Sequence, residues 1–275
     1  MVPAASSARV SGLRRAFVHD VAAAGLAWAG QGADSDLVTA EEVAELPEPV
    51  RRYLEFMDVV GRPRRRSFEA RFSGRFRRTP RERWMAAEAL QYNTAPEVAR
   101  IYTMRLRFAG VLPMVGHDTY VRGSGRMVGK LFDRFTVADG TGDEFDVGEL
   151  VTYLNDAILL APSMLLGSRT TWRGLDDSSF EVALTDAGRT VRATITLDDR
   201  GAPIDFVTDD RFASLPQGLV RATWTTPVSA WLRVDGRMVP GPARATWLLD
   251  DGPFTYVEGR FVPESIRDDV PPPKA

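Results

Sequence analysis

The chain has 275 residues, 44% of them hydrophobic and 26% charged, a balance that suits one large folded domain and excludes a disordered chain. It contains no cysteine, which rules out disulfides, thiolate metal sites and cysteine nucleophiles. The formal net charge is only −2, yet Arg51 to Arg107 holds fifteen arginines against six acids, and Lys occurs only at Lys130 and Lys274. Such a stretch either meets an anionic partner or is balanced by acids from elsewhere in the fold, and balance is the expectation.

At the N-terminus, Arg14-Arg15-Ala16-Phe17-Val18 and the small-residue run from Val21 to Gly30 outline an export signal, with Ala27-Trp28-Ala29 in the place of a cleavage site. His19 and Asp20 interrupt its apolar region. A helix packed on the domain, or a loose arm, is therefore expected over residues 1–38, and a cytoplasmic location with it. No run reaches the ~18 apolar residues of a membrane span. Thr39 and Glu42 have capping-box spacing, Pro47 and Pro49 force a break, and Val50, Tyr53, Leu54 and Met57 recur at helical spacing up to Gly61.

From residue 65 the period changes to two. Phe68, Ala70, Phe72, Gly74 and Phe76 alternate with polar residues, as do Tyr102, Met104, Leu106 and Phe108. Strands are expected at 65–77, 83–91, 100–108, 117–122 and 126–137. A helix capped by Asp146 then runs over 147–160, with Pro162 stopping it. Further strands are expected at 170–174, 178–185, 190–198, 203–212, 219–226, 230–234, 243–249 and 254–262. The turns Asp186-Ala187-Gly188, Asp199-Arg200-Gly201, Asp235-Gly236 and Asp251-Gly252 separate several of them.

Short links mean antiparallel meanders. The expected fold is α+β, mainly antiparallel β: a strongly curved sheet or half-barrel of about 10–12 strands with one or two helices in its concave face. It should form a single domain over 39–270, followed by a loose tail at 271–275.

Several motifs resemble an uncharacterised bacterial family, a domain of unknown function. They are Leu46-Pro47-Glu48-Pro49-Val50-Arg51-Arg52-Tyr53-Leu54, Asp118 to Gly125, Gly142-Asp143-Glu144-Phe145, Leu154-Asn155-Asp156, Ala161 to Leu166, Trp172, Asp209-Asp210-Arg211-Phe212, and Trp247 to Tyr256. The resemblance covers roughly residues 45–270. It implies no catalytic residue. Its strand-rich pattern is similar to the half-barrel of lipoprotein carriers, which hold acyl chains in a concave sheet.

His19 and His117 are the only histidines, too few for a zinc site, and no Gly-x-Ser-x-Gly elbow accompanies them. Gly123-Ser124-Gly125 lacks the context of a dinucleotide loop and reads as a bend. Neither metal nor cofactor is expected. The informative polar residues interrupt apolar elements. Asn155 and Asp156 sit on the apolar helix, and a buried carboxylate needs a partner. Arg211 is the expected one, either anchoring helix to sheet or clamping a ligand carboxylate or phosphate. Asp118, Tyr120 and Arg122 alternate on one strand, as a solvated face or as a polar patch for a head group or acid–base work. Glu144 and Glu149 favour the helix dipole.

Trp84, Trp172, Trp224, Trp231 and Trp247 fall on expected strands. Such rings mostly build core, yet with Met57, Met85, Met104, Met114 and Met164 they also suit the wall of a small-molecule pocket. The candidate ligand-binding set is Trp84, Tyr102, Asp118, Tyr120, Arg122, Asn155, Asp156, Arg211 and Trp224. The expected function is binding of a hydrophobic or amphipathic small molecule, lipids included, in a sheet cavity. The alternatives are a cofactor-independent enzyme using Asp118, Tyr120 or Asp156, and a partner-binding scaffold. Nucleic acid is not an expected partner. Contact with a membrane surface, without spanning, is compatible with the sequence.

Overall fold

The computed structural model describes residues 4–28, 36–108, 112–215 and 218–273. Ala29 of the expected cleavage site and Lys274 and Ala275 of the expected tail lie outside them. The first helix, α1 (Ala4–Ala23), buries Leu13, Phe17 and Val21 against the sheet. Thr39 then caps α2 (Ala40–Ala44), its hydroxyl accepting from the Glu42 amide at 3.1 Å, as the capping spacing predicts. Pro47 divides it from α3 (Glu48–Phe56), which carries Pro49 in its first turn and buries Val50, Tyr53 and Leu54.

The meander that follows consists of β1 (Ser67–Phe76), β2 (Met85–Thr94), β3 (Ala99–Phe108), β4 (Leu112–Val121), β5 (Ser124–Leu131) and β6 (Phe135–Thr141). The expected single strand at 126–137 is two. Phe132 and Asp133 both adopt φ near +55°, the left-handed pair that reverses a hairpin. Next comes α4 (Asp143–Leu160). It starts four residues earlier than expected, and Asp146 is not its cap. The Asp146 carboxylate instead accepts the Gly125 amide at 2.6 Å and pairs with Arg189 at 2.6 Å. Only glycine fits at 125, because a Cβ there would lie 2.2 Å from the Phe145 carbonyl oxygen.

The second half holds β7 (Thr170–Asp176), β8 (Ser179–Asp186), β9 (Arg189–Leu197), β10 (Pro203–Thr208), β11 (Phe212–Leu215), β12 (Gly218–Arg221), β13 (Thr223–Thr225), β14 (Trp231–Val234), β15 (Arg237–Pro240), β16 (Ala243–Leu249), β17 (Gly252–Phe261) and β18 (Arg267–Asp268). The expected strands at 203–212 and 219–226 each break in two, giving the separate hairpin β11–β12. A second separate hairpin is β14–β15.

All other strands form one antiparallel sheet, ordered β6-β5-β4-β3-β2-β1-β17-β16-β13-β10-β9-β8-β7, with β18 on β1. Among the described residues β6 and β7 do not pair, so the sheet is curved but unclosed. Its two arms meet at one end only. Tyr120 donates to Asp186 across that end at 2.9 Å, and Arg189 reaches the Gly123 carbonyl and Asp143.

Register assigns the faces. Arg100 contacts α4, so Arg100, Tyr102, Met104 and Leu106 point inward, and their cross-strand partners Asn93, Gln91, Ala89, Ala87, Tyr120, Asp118, Gly116 and Met114 point with them. Ile101 and Thr103 point outward, onto α1. The main core lies between α3, α4 and the inner face of β7–β10, β13 and β16, with Phe180, Val182, Leu184, Ile195 and Phe206 buried there.

The excess of arginines in 51–107 is met by acids. Arg64 pairs with Glu42, Arg65 with Asp268, Arg66 with Asp36, Arg71 with Glu88, and Arg75 with Glu258. No helix among the described residues is long and apolar enough to cross a membrane.

Candidate functional site

Where α4 crosses the inner face, a buried ionic cluster fixes it. Arg100 donates to Asp156 at 2.7 Å and to Glu149 at 3.0 Å, with Asn93 a further donor to Asp156 at 3.4 Å. Burial opposes the charge on Arg100, but Asp156 and Glu149 outweigh it and raise its pKa. Burial also pushes the Glu149 carboxyl upward, against the pull of Arg100. This pair differs from the sequence expectation, in which Arg211 was the partner of Asp156 and Glu149 served the helix dipole.

Arg211 stands elsewhere for a local reason. Its neighbours Asp209 and Asp210 are taken on the outside, where Asp210 accepts from Arg221 at 2.8 Å and from the Arg192 amide at 2.8 Å. The guanidinium of Arg211 lies over Trp224 at 4.2 Å and Trp247 at 5.5 Å, and its Nε is buried with no acceptor among the described residues. Its charge acts on Glu149 and Asp118.

Asp118 sits inward on β4, opposite Tyr102 on β3 and Met127 on β5. Burial, and then the charge of Glu149, push its carboxyl up to about 7, while Arg100 and Arg211 pull it down. Part of Asp118 remains accessible. Tyr102 lies under the Arg100 guanidinium at 4.6 Å, and burial raises its phenol. Trp247 stacks on Tyr256 at 6.1 Å, and Trp224 donates to the Tyr256 hydroxyl at 3.2 Å. Phe76 meets Tyr256 edge-on at 6.0 Å.

Beyond this aromatic group the inner face continues as a wall of Met85, Ala87, Met104, Leu106 and Met114, an apolar cluster separate from the one that holds α4. Gly74, Gly116 and Gly129 on the same face keep that wall shallow. Met104, Met114 and Gly116 keep accessible surface, and Met127 is 40% exposed. Helix α4 thus packs on one end of the inner face; at the other, Met85, Ala87 and Leu106 are buried within the wall, and Met104, Met114, Gly116 and Met127 are the residues that keep accessible surface. Two surface clefts, of about 430 and 510 Å³, lie outside the concavity.

Of the candidate residues, the structure brings Tyr102, Asp118, Asp156, Arg211 and Trp224 around the concavity, and it adds Arg100, Glu149, Trp247 and Tyr256. It places the others apart. Tyr120 points inward, but its hydroxyl is spent on Asp186. Arg122 follows the end of β4 with φ at 53°, which turns it off the strand face to bond the Gly25 carbonyl and Glu97. Asn155 donates to Thr226 at 2.7 Å and anchors α4 to the far arm. Trp84 precedes β2, with the guanidinium groups of Arg75 and Arg77 each 4.5 Å from its ring. Among the described residues no group of three or more His, Asp or Glu is placed to hold a metal ion.

A family model described as a family of unknown function, DUF6544, matches residues 36–259. No curated protein matches the chain. Among solved structures, a LolA superfamily protein from Nitrosomonas europaea is 14% identical, with a TM-score of 0.42 over 84% of this chain and 93% of that one. A DUF1329 family protein from Desulfovibrio piger is 12% identical, with a TM-score of 0.44 over 85% and 94%. The half-barrel layout of this chain is carried by its own strand order, and these likenesses assign it no ligand.

Proposed function

The chain belongs to the DUF6544 family, membership of which brings no activity with it, and we propose from its own geometry that it binds an amphipathic small molecule with an anionic head. One observation carries this reading: the open half of the inner face is an apolar wall that ends on Arg211, a cation held over two indoles with an unused buried donor. The apolar body lies along Met104, Met114, Gly116 and Met127, which keep accessible surface, and the head reaches Arg211. Burying roughly 200 Å² of chain at ~25 cal/mol per Å² gains about 5 kcal/mol, and a charge-assisted hydrogen bond to the guanidinium adds ~1.5–3 kcal/mol. Delipidated protein should bind a fluorescent fatty acid saturably, and Arg211→Gln should weaken binding about tenfold to a hundredfold. Absence of saturation, or an unchanged affinity in the variant, overturns the reading.

A second reading is favoured by Asp118, a partly accessible carboxyl that burial and Glu149 push up to about 7 beside Tyr102. Here the bound molecule is a substrate and Asp118 the acid or base. Native mass spectrometry of a bound amphiphile before and after incubation separates the two. Recovery of the molecule unaltered supports a carrier. Chemical change that stops in Asp118→Asn supports an enzyme.

A further inference from the structure

The cleft of about 430 Å³ lies away from Arg211, between the turn joining β2 to β3 and the segment that follows α4. Its walls include Val98, Tyr153, Leu165, Leu166 and Leu184, all buried, and four arginines, Arg64, Arg65, Arg66 and Arg169, against one acid, Asp36. Two of the four are committed. Arg64 is bound by Glu42 at 2.7 Å and by the Leu166 carbonyl, and Arg65 by Asp268 and the Leu160 carbonyl.

The other two are not. Arg66 spends one amino group on Asp36 at 3.1 Å, and its Nε is buried with no acceptor among the described residues. Arg169 donates to the carbonyls of Ala95 and Pro96 at 3.1 and 3.4 Å, and its nearest carboxylate, Asp186, stands 4.0 Å away and already accepts from Tyr120.

An arginine-rimmed cleft with an apolar floor is complementary to an oxyanion on a short apolar body. Arg66, held by Asp36 through one amino group only, and Arg169, 4.0 Å from Asp186, keep donors that such an anion would take up. We infer that this cleft is a second binding site, independent of Arg211, for a small organic phosphate or carboxylate whose oxyanion meets Arg66 and Arg169 and whose apolar part rests on Val98, Tyr153 and Leu184.

The test is titration of the full chain with hexyl phosphate, hexanoate and inorganic phosphate, read by calorimetry and by amide shifts in 15N-labelled protein. Hexyl phosphate or hexanoate should bind saturably, shifting the amides of Gly167 to Thr170. Whichever binds more tightly names the source of the oxyanion. Inorganic phosphate should bind more weakly, since it leaves the apolar floor empty. Arg169→Gln should weaken binding at least tenfold, Arg169→Lys should recover part of the loss, and Arg211→Gln should leave it unchanged. Shifts centred elsewhere, no saturation with any of the three, or loss in Arg211→Gln instead of Arg169→Gln overturns the site. Because the wild-type shifts locate the site without any variant, a misfolded Arg169→Gln does not block the result. A failure here leaves fatty-acid binding at Arg211 standing, and the reverse holds.

Discussion

At the scale of single residues, Arg100 and Arg211 are both inward-facing arginines, and they play opposite parts. Arg100 satisfies two carboxylates that would otherwise be buried and unpaired. Arg100→Met should therefore destabilise the fold by ~3–5 kcal/mol, read as the shift in a urea midpoint, because it strands Glu149 and Asp156. Arg211 satisfies no buried acid in that way, so Arg211→Gln should cost little stability while it removes binding. Equal destabilisation by the two variants would show that Arg211 is structural. Asp118 supplies the pH dependence. Its folded value of about 7 lies above the ~3.9 of an unfolded chain, so between those values the folded protein holds a proton that the unfolded chain has released. Stability should fall as pH rises from about 4 to about 7 and then level off, and Asp118→Asn should remove that slope. Affinity for an anionic head should also fall as pH rises through about 7, since ionised Asp118 repels it. A flat pH profile in the wild type would contradict both.

Elements show how much of this was legible beforehand. Period-two alternation placed β1 and β3 and put Tyr102 and Met104 on one face, and capping chemistry placed α2. Extending the β3 alternation back by one step puts Arg100 on that same apolar face, so the partner of Asp156 was within reach of the pattern. What the pattern could not give was distance across the fold. The pairing of Arg211 with Trp224 and Trp247 depends on how β10, β13 and β16 order themselves, and no local period encodes strand order. The hairpin split at Phe132-Asp133 was hidden because phenylalanine rarely adopts the left-handed region and no glycine follows Asp133 to complete the usual turn pair. Helix α1 gives a prediction of its own. Its Asp20 accepts from Thr103 at 2.7 Å and binds His117 Nδ1 at 2.6 Å, and Asp133 sits 3.2 Å from the other ring nitrogen. The hydrogen bond to Asp20 raises the His117 pKa, against the opposing effect of burial. Stability from this latch is fully present below the unfolded histidine value of ~6.5 and is lost as pH rises through the raised folded value. Tryptic cleavage at Arg14 and Arg15, corrected by a reference peptide, should accelerate above that range, and Asp20→Asn should cleave fast at every pH. Cleavage rates that ignore both pH and the substitution would show that α1 is held by its apolar face alone.

Across the whole molecule, the sheet is pinched at one end and open at the other. Tyr120, Asp186, Arg189 and α4 join the arms where β4 turns into β5, whereas the opposite rim is formed by the start of β4 and the β5–β6 turn. That rim is apolar. Leu112, Met127, Phe132, Phe135 and Val137 are all exposed, with Phe132 at 52% and Phe135 at 59%. Exposed aromatics on the mouth of an apolar concavity cost solubility and suit contact with an apolar source, and Lys130 and Arg134 beside them favour an anionic lipid surface. On the reading proposed above the ligand enters at this rim, and equilibrium affinity and transfer rate should then respond to different residues. In Phe132→Ser/Phe135→Ser, a fluorescent fatty acid added from solution should bind with the wild-type affinity, while its uptake from anionic vesicles should slow severalfold. Wild-type uptake should itself slow as salt screens the surface charge. If the double variant loses affinity for the dissolved fatty acid, those rings belong to the binding wall. If uptake from vesicles is unchanged, the ligand enters elsewhere and the open end of the sheet has another use.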